Sequence, residues 1–129
     1  MLKVHNPKTI APPTGRYQHA IEVPAGARTL YISGQVGNLP DGTLAQGIDA
    51  QAEAVWRNIA AILAEAGFGL GDLAKVTVLL VDKAHIGAAR VARDKILGDT
   101  RPPASTLIVV DALASPDFLI EIEAIAAKA

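Results

Sequence analysis

The segment EIEAIA, residues 121–126, sets Glu121 and Glu123 two positions apart. In an extended strand both side chains leave the same face, about 7 Å from each other. A carboxylate pair of this kind can divide acid and base work. It can equally be a solvated or salt-bridged sheet edge, and the spacing alone does not choose. Two further segments gather polar groups. GRYQHA, residues 15–20, lines up Arg16, Tyr17, Gln18 and His19 at the entry to a strand. SGQVG, residues 33–37, sets Gly34 and Gly37 around Gln35 after a strand. Glycine there allows a ligand close to the backbone, or simply a bulge.

Other chemistries lack their residues. The chain has no cysteine, which removes disulfides, thiolate metal sites and a thiol nucleophile. His5, His19 and His85 are scattered without metal-ligand spacing, so no metal is expected. Ser33, Ser105 and Ser115 lack a nucleophile-elbow context. The 12 basic and 13 acidic residues nearly cancel, and aromatics are 4% of the chain. A nucleic-acid binder shows a basic excess and stacking aromatics, so nucleic acid is not the expected partner. No apolar run reaches the roughly 18 residues of a membrane span, and the first ten residues lack a signal-peptide core. These features predict a cytoplasmic protein with no membrane partner.

The elements that must position the polar groups follow from periodicity. The 129 residues read as one domain, 1–129. HAIEV at 19–23 and RTLYIS at 28–33 read as strands joined by the PAG turn, which predicts a hairpin. Residues 48–66 change to a helical period, with Ile48, Val55, Ile59, Ile62 and Leu63 on one face. Gln51, Glu53, Arg57, Asn58 and Glu65 fall largely elsewhere, and Gly67 stands where a left-handed cap is needed. The FGLG that follows reads as cap and connector rather than a phosphate cradle, because no Lys-Ser/Thr comes after it. KVTVLLV at 75–81 is a β-branched strand, and Ala84 to Leu97 a second helix stopped by Gly98. A Pro-Pro turn leads to STLIVV, then a loop, then LIEIEAIA as the last strand. The predicted order is β-β-α-β-α-β-β, with a short extra strand at residues 2–5.

Two helices cover one sheet face. VTVLLV and TLIVV are apolar at successive positions, so both faces of these strands want burial. Val76, Val78 and Leu80 point one way; Thr77, Leu79 and Val81 point the other. At about 25 cal/mol per Å2, several hundred Å2 of open apolar face is worth several kcal/mol when buried. The pattern predicts a homo-oligomer, whose interfaces supply ligand clefts.

GRYQHA, YISGQV, AEAVWRNIAAILAEAG, KVTVLLVD, PPAST and EIEAIA together resemble the RidA/YjgF family of reactive intermediate deaminases, also labelled endoribonuclease L-PSP-like. The resemblance runs from about Ala11 to Ala126. It implies an α+β, chorismate-mutase-like fold: a mixed sheet with two helices on one face, in a homotrimer with a central barrel and a small-molecule cleft between subunits. It implies enamine or imine hydrolysis to a keto compound and ammonia, with no cofactor. It makes Glu121 the catalytic residue and assigns substrate contacts to Tyr17 and to the Ser33–Gly34 backbone. The family's carboxylate-binding arginine stands at the start of the strand that follows the Pro-Pro turn. Here Ala104 stands in that place. The resemblance is thus to a branch lacking this arginine. Arg16, Arg90, Arg93 and Arg101 are the cations that could compensate, Arg16 and Arg93 foremost. The same segments fit a ligand-binding or regulatory trimer without chemistry. The ribonuclease activity in the older label is disfavoured by the neutral charge and the lack of a clustered histidine acid/base site.

Overall fold

The computed structural model describes residues 1–129. Strands β1 (Lys3–His5), β2 (Ala20–Glu22) and β3 (Arg28–Gln35) precede helix α1 (Ile48–Glu65). Then follow β4 (Leu73–Leu80), α2 (Ile86–Leu97), β5 (Ala104–Val109) and β6 (Ile120–Lys128). The main sheet has the order β3-β6-β4-β5. Strands β4 and β5 run parallel, with α2 as their crossover; the other pairings are antiparallel. This is an α+β fold with a mixed sheet and both helices on one face.

The alternation along β4 and β6 decides what each face does. Val76, Val78, Leu80, Ile120, Ile122, Ala124 and Ala126 are buried with Val55, Trp56, Ile59 and Leu63 of α1 in one core. The intervening Thr77, Leu79, Glu121 and Ile125 are only half-buried, and they face away from the helices. Tyr31 on β3 and Ile108 on β5 stand exposed on that same open face, 77% and 45% accessible. The two-faced character of these strands therefore appears as a half-covered sheet.

Helix α1 ends as its sequence requires. Gly67 adopts φ +79°, its N–H bonds Ala64 O at 3.1 Å, and Phe68 N–H bonds Leu63 O at 2.8 Å. This paired closure needs a left-handed residue at Gly67 and buries Phe68 against the core.

Two expectations are corrected. Strand β2 does not form a hairpin with β3; it pairs with β1, Val4 opposite Ile21, in a separate two-stranded sheet. Only Ile21 of this short strand has an apolar role, packing with Leu2 against Ala74 and Ala127. Strand β3 instead pairs with β6, which brings Leu30 and Ile32 to the main core. Gly26, at φ +78°, lets the chain step between the two sheets. Secondly, Gln51 is 2% exposed rather than on a polar face. Its Nε2 donates to Asp117 O at 3.0 Å, and its Oε1 accepts from Leu119 N–H at 2.9 Å. A buried amide so satisfied fastens the loop that delivers β6.

Candidate functional site

Glu121 lies on the open face of β6, opposite Leu79. Its carboxylate rests on the backbone of Gly34. A Cβ placed on Gly34 would overlap Oε2 and come within 2.7 Å of Cδ. The β3–β6 register shifts between Ile32 and Gln35, so Ser33 and Gly34 form a bulge at this contact. No side chain or backbone N–H within the chain bonds the Glu121 carboxylate, and no cation pairs with it. Gly37 meets a different neighbour: its α-carbon packs on Gln51, where a Cβ would come within 2.7 Å of that residue's Cα. Of the two glycines in SGQVG, one thus makes room for the carboxylate and the other for the helix.

Tyr17 belongs to the opposite end of the sheet. Gln18 N–H donates to Pro103 O at 3.1 Å, and Gln18 bridges to Ala104 in parallel fashion. Asn6 holds this segment: its Nδ2 donates to Gln18 Oε1, and its Oδ1 accepts from His19 N–H, each at 2.7 Å. His19 packs edge-on to Tyr17 with ring centroids 5.8 Å apart. Its Nε2 lies 2.7 Å from Ala11 O, so that nitrogen carries the proton. Hydrogen bonding from Thr14, through its side chain and then its N–H (3.4 Å to Oη), holds the Tyr17 phenol below the ordinary tyrosine pKa.

The register measures the gap between the two ends. Ala104 lies opposite Lys75 on β4, and Glu121 opposite Leu79. Four residues at about 3.3 Å, with two strand spacings of about 4.8 Å, separate them by about 16 Å. One chain therefore carries Ala104 at one end of the open face and Glu121, beside the Ser33–Gly34 bulge, at the other, while Tyr17, next to Gln18 at the Ala104 end, lines a cavity with Val76, Val78 and Leu107 on the helix side.

The arginines are distributed otherwise than their sequence positions suggest. Arg16 donates to Gly98 O (2.8 Å) and Thr100 O (3.2 Å) and lies 3.6 Å from Asp94. Arg101 donates to Gly71 O, Leu73 O and Pro102 O. Arg16 thus joins its loop to the end of α2 and the turn after it, and Arg101 ties its loop to the start of β4. Arg93 donates Nε to Asp94 at 3.0 Å, and with Arg90 it lines a cavity on the helix side of the sheet, not on the Glu121 face. The cation that does share the face of Ala104 is Lys75, directly opposite it, with Nζ donating to Thr106 Oγ1 at 2.7 Å. Sequence reasoning passed over Lys75, although strand alternation puts it in phase with Thr77 and Leu79.

The comparisons with known proteins agree with this architecture. The family model described as Endoribonuclease L-PSP matches residues 8–128. The chain belongs to this family, the Rid or YjgF proteins. A RutC family protein of Pyrococcus abyssi is 37% identical over 118 residues, covering 90% of this chain and 89% of that one. The Rid-family protein YyfB of Yersinia pestis superposes with a TM-score of 0.88 at 33% identity, over 98% of both chains. The 2-iminobutanoate/2-iminopropanoate deaminase of Mus musculus is 40% identical over 75 residues, 57% of this chain and 53% of its own. For this Rid protein, no helix is long and apolar enough to cross a membrane.

Proposed function

We propose that this Rid protein is a homotrimeric hydrolase of small imines or enamines, working in a cleft between subunits. The observation that carries this reading is the separation of Tyr17 and Ala104 from Gly34 and Glu121. Ala104 and Glu121 share the half-covered sheet face but lie about 16 Å apart, further than side chains reach across one substrate, and Tyr17 adjoins the Ala104 end through Gln18. Packing that face on a second copy buries Tyr31, Ile108, Leu79 and Ile125. It also brings the Tyr17 end of one protomer to the Glu121 end of another.

In that cleft Glu121 accepts a proton from water as its oxygen attacks the imine carbon. Glu121 returns that proton to the nitrogen, which completes a neutral carbinolamine; Glu121 then carries the hydroxyl proton to the nitrogen as the C–N bond breaks, and ammonia leaves with a keto product. The Ser33–Gly34 bulge holds the Glu121 carboxylate at the backbone, where its oxygens stay available to water. Tyr17 walls the pocket. Ala104 offers a methyl group where a deaminase of the commoner type has a guanidinium, so no bidentate fork grips a substrate carboxylate. Lys75, opposite Ala104, is a single point charge and holds an anion less directionally. The substrate is therefore one whose placement does not depend on such a fork. The partial likeness to the mouse iminobutanoate/iminopropanoate deaminase supports the reaction type.

The same lack of a carboxylate fork favours a second reading, a ligand-binding or regulatory trimer that keeps the cleft without the chemistry. Mixed assembly separates the two. Tyr17→Ala and Glu121→Gln chains, each inactive in imine hydrolysis, are unfolded together and reassembled. Activity recovered in the mixture supports a shared catalytic site; two inactive variants that never complement each other refute it.

A further inference from the structure

Polar contacts, not a core, place Tyr17. From His5 to Ala20 no side chain is buried, and none of these residues joins either apolar cluster. The small sheet beside them pairs only three residues from each of β1 and β2, which is marginal support on its own. Hydrogen bonds must therefore do the holding. Arg16 and the Gln18 N–H tether the backbone on either side of Tyr17, to Gly98 O and Thr100 O and to Pro103 O. The ring itself has two polar neighbours. Thr14 N–H reaches the phenol oxygen at 3.4 Å, which is long for a hydrogen bond. The His19 imidazole stands edge-on, 5.8 Å between centroids and 79° between planes.

His19 is anchored at both ends. Its backbone N–H donates to Asn6 Oδ1, and its Nε2 donates to Ala11 O, each at 2.7 Å. Asn6 stands where β1 gives out. The β1–β2 register pairs His5 with Ala20, so residue 6 falls opposite residue 19. Pro7 follows, with no N–H to extend the ladder. The Asn6 carboxamide takes over there: Oδ1 accepts from His19, and Nδ2 donates to Gln18 Oε1 at 2.7 Å. One side chain thus fixes the two residues that follow Tyr17, in a segment without buried side chains.

We infer that Asn6 is a positioning residue for Tyr17, acting through His19. The carboxamide sets the His19 backbone, Ala11 O sets the imidazole, and the imidazole edge sets the phenol ring that walls the cleft. The assignment rests on the imine-hydrolase reading and adds to it a residue that touches no substrate. A displaced Tyr17 loosens the fit of the substrate, while Glu121 and its proton transfers stay as they are.

The test follows the full-length protein by imine hydrolysis and by nuclear Overhauser contacts between the Tyr17 and His19 rings. The ring contact is expected in the wild type and absent in Asn6→Leu. Asn6→Leu is also expected to lower kcat/KM about tenfold or more, through KM rather than kcat. Asn6→Asp keeps an acceptor for His19 N–H, and Gln18 can turn its amide to donate to it. That variant is expected to keep both the ring contact and the activity, which separates positioning from a general loss of fold. His19→Ala should lower kcat/KM about as far as Asn6→Leu, and the double variant no further. An Asn6→Leu protein that keeps the ring contact would overturn the inference, as would one that loses it with kcat/KM unchanged. Additive losses in the double variant would overturn the route through His19. A wild type inert toward imines would overturn the hydrolase reading and this role with it. An active wild type with an equally active Asn6→Leu leaves that reading standing and removes this assignment alone.

Discussion

The carboxylate of Glu121 occupies the space in which a side chain at residue 34 would begin. Gly34 is therefore required by a contact, not by its own φ, which lies outside the left-handed region. Any larger residue must displace the carboxylate or push β3 from β6. Gly34→Ala is expected to cost about 1–3 kcal/mol, as overpacking does. Most of that cost should vanish in the Glu121→Ala background, where the collision is gone. Urea unfolding of the two single variants and the double variant measures the coupling; additive effects would show that the two residues do not touch.

Gln51 joins α1 to the loop before β6 through both ends of its amide. Gln51→Leu fills similar volume but leaves Asp117 O and Leu119 N–H without that partner. A loss of about 1–3 kcal/mol is expected. Hydrogen exchange should show residues 117–119 opening ahead of the rest of β6, and protection equal to wild type there would contradict the assignment.

Arg101 donates to three main-chain carbonyls and so serves the fold. Arg101→Ala should lower stability by about 1–3 kcal/mol while leaving imine hydrolysis by the folded protein unchanged. A variant that unfolds at the wild-type urea concentration but hydrolyses imines more slowly would reverse this distinction.

Tyr17 is expected to ionise below the usual tyrosine range because hydrogen bonding from Thr14, side chain first, favours the phenolate. The sign follows from linkage. The folded state releases this proton before the unfolded state, so the interaction adds to stability as pH rises through the folded-state pKa. At neutral pH, with the phenol protonated in both states, it adds nothing. The chain has only two tyrosines, so ultraviolet titration of a Tyr31→Phe variant reports Tyr17 alone. Thr14→Val in that background should move the transition upward; an unmoved transition would contradict the shift.

Much of this was legible in the sequence because the relevant signals are local. The period of α1 and the glycine at 67 define the helix and its closure, and the doubled apolar pattern of KVTVLLV foretells a face that the helices do not cover. Pairing was less legible. HAIEV and RTLYIS look like a hairpin because they adjoin, whereas β3 finds its partner nearly a hundred residues later in β6. Gln51 carries no sign in the sequence that its amide will meet a distant loop. The arginines show the same limit. Their positions identify them as cations, but only the packed chain shows that Arg16 and Arg101 hold carbonyls and that Arg90 and Arg93 face the helix-side cavity. Strand alternation could have singled out Lys75, since it shares a face with Ala104 through the β4–β5 register.

The most direct measurement is hydrolysis of a freshly generated imine. An amino-acid oxidase produces 2-iminopropanoate in the presence of the Rid protein, and semicarbazide traps what remains. The wild type is expected to lower the trapped imine and speed keto-acid release over the buffer rate. Glu121→Gln, folded and assembled as the wild type is, should not. Neutral imines tested alongside should be hydrolysed at least as well, because no carboxylate fork is present at Ala104. Buffer-level rates with the wild type on both anionic and neutral imines would contradict catalysis by Glu121 and leave the cleft as a binding site.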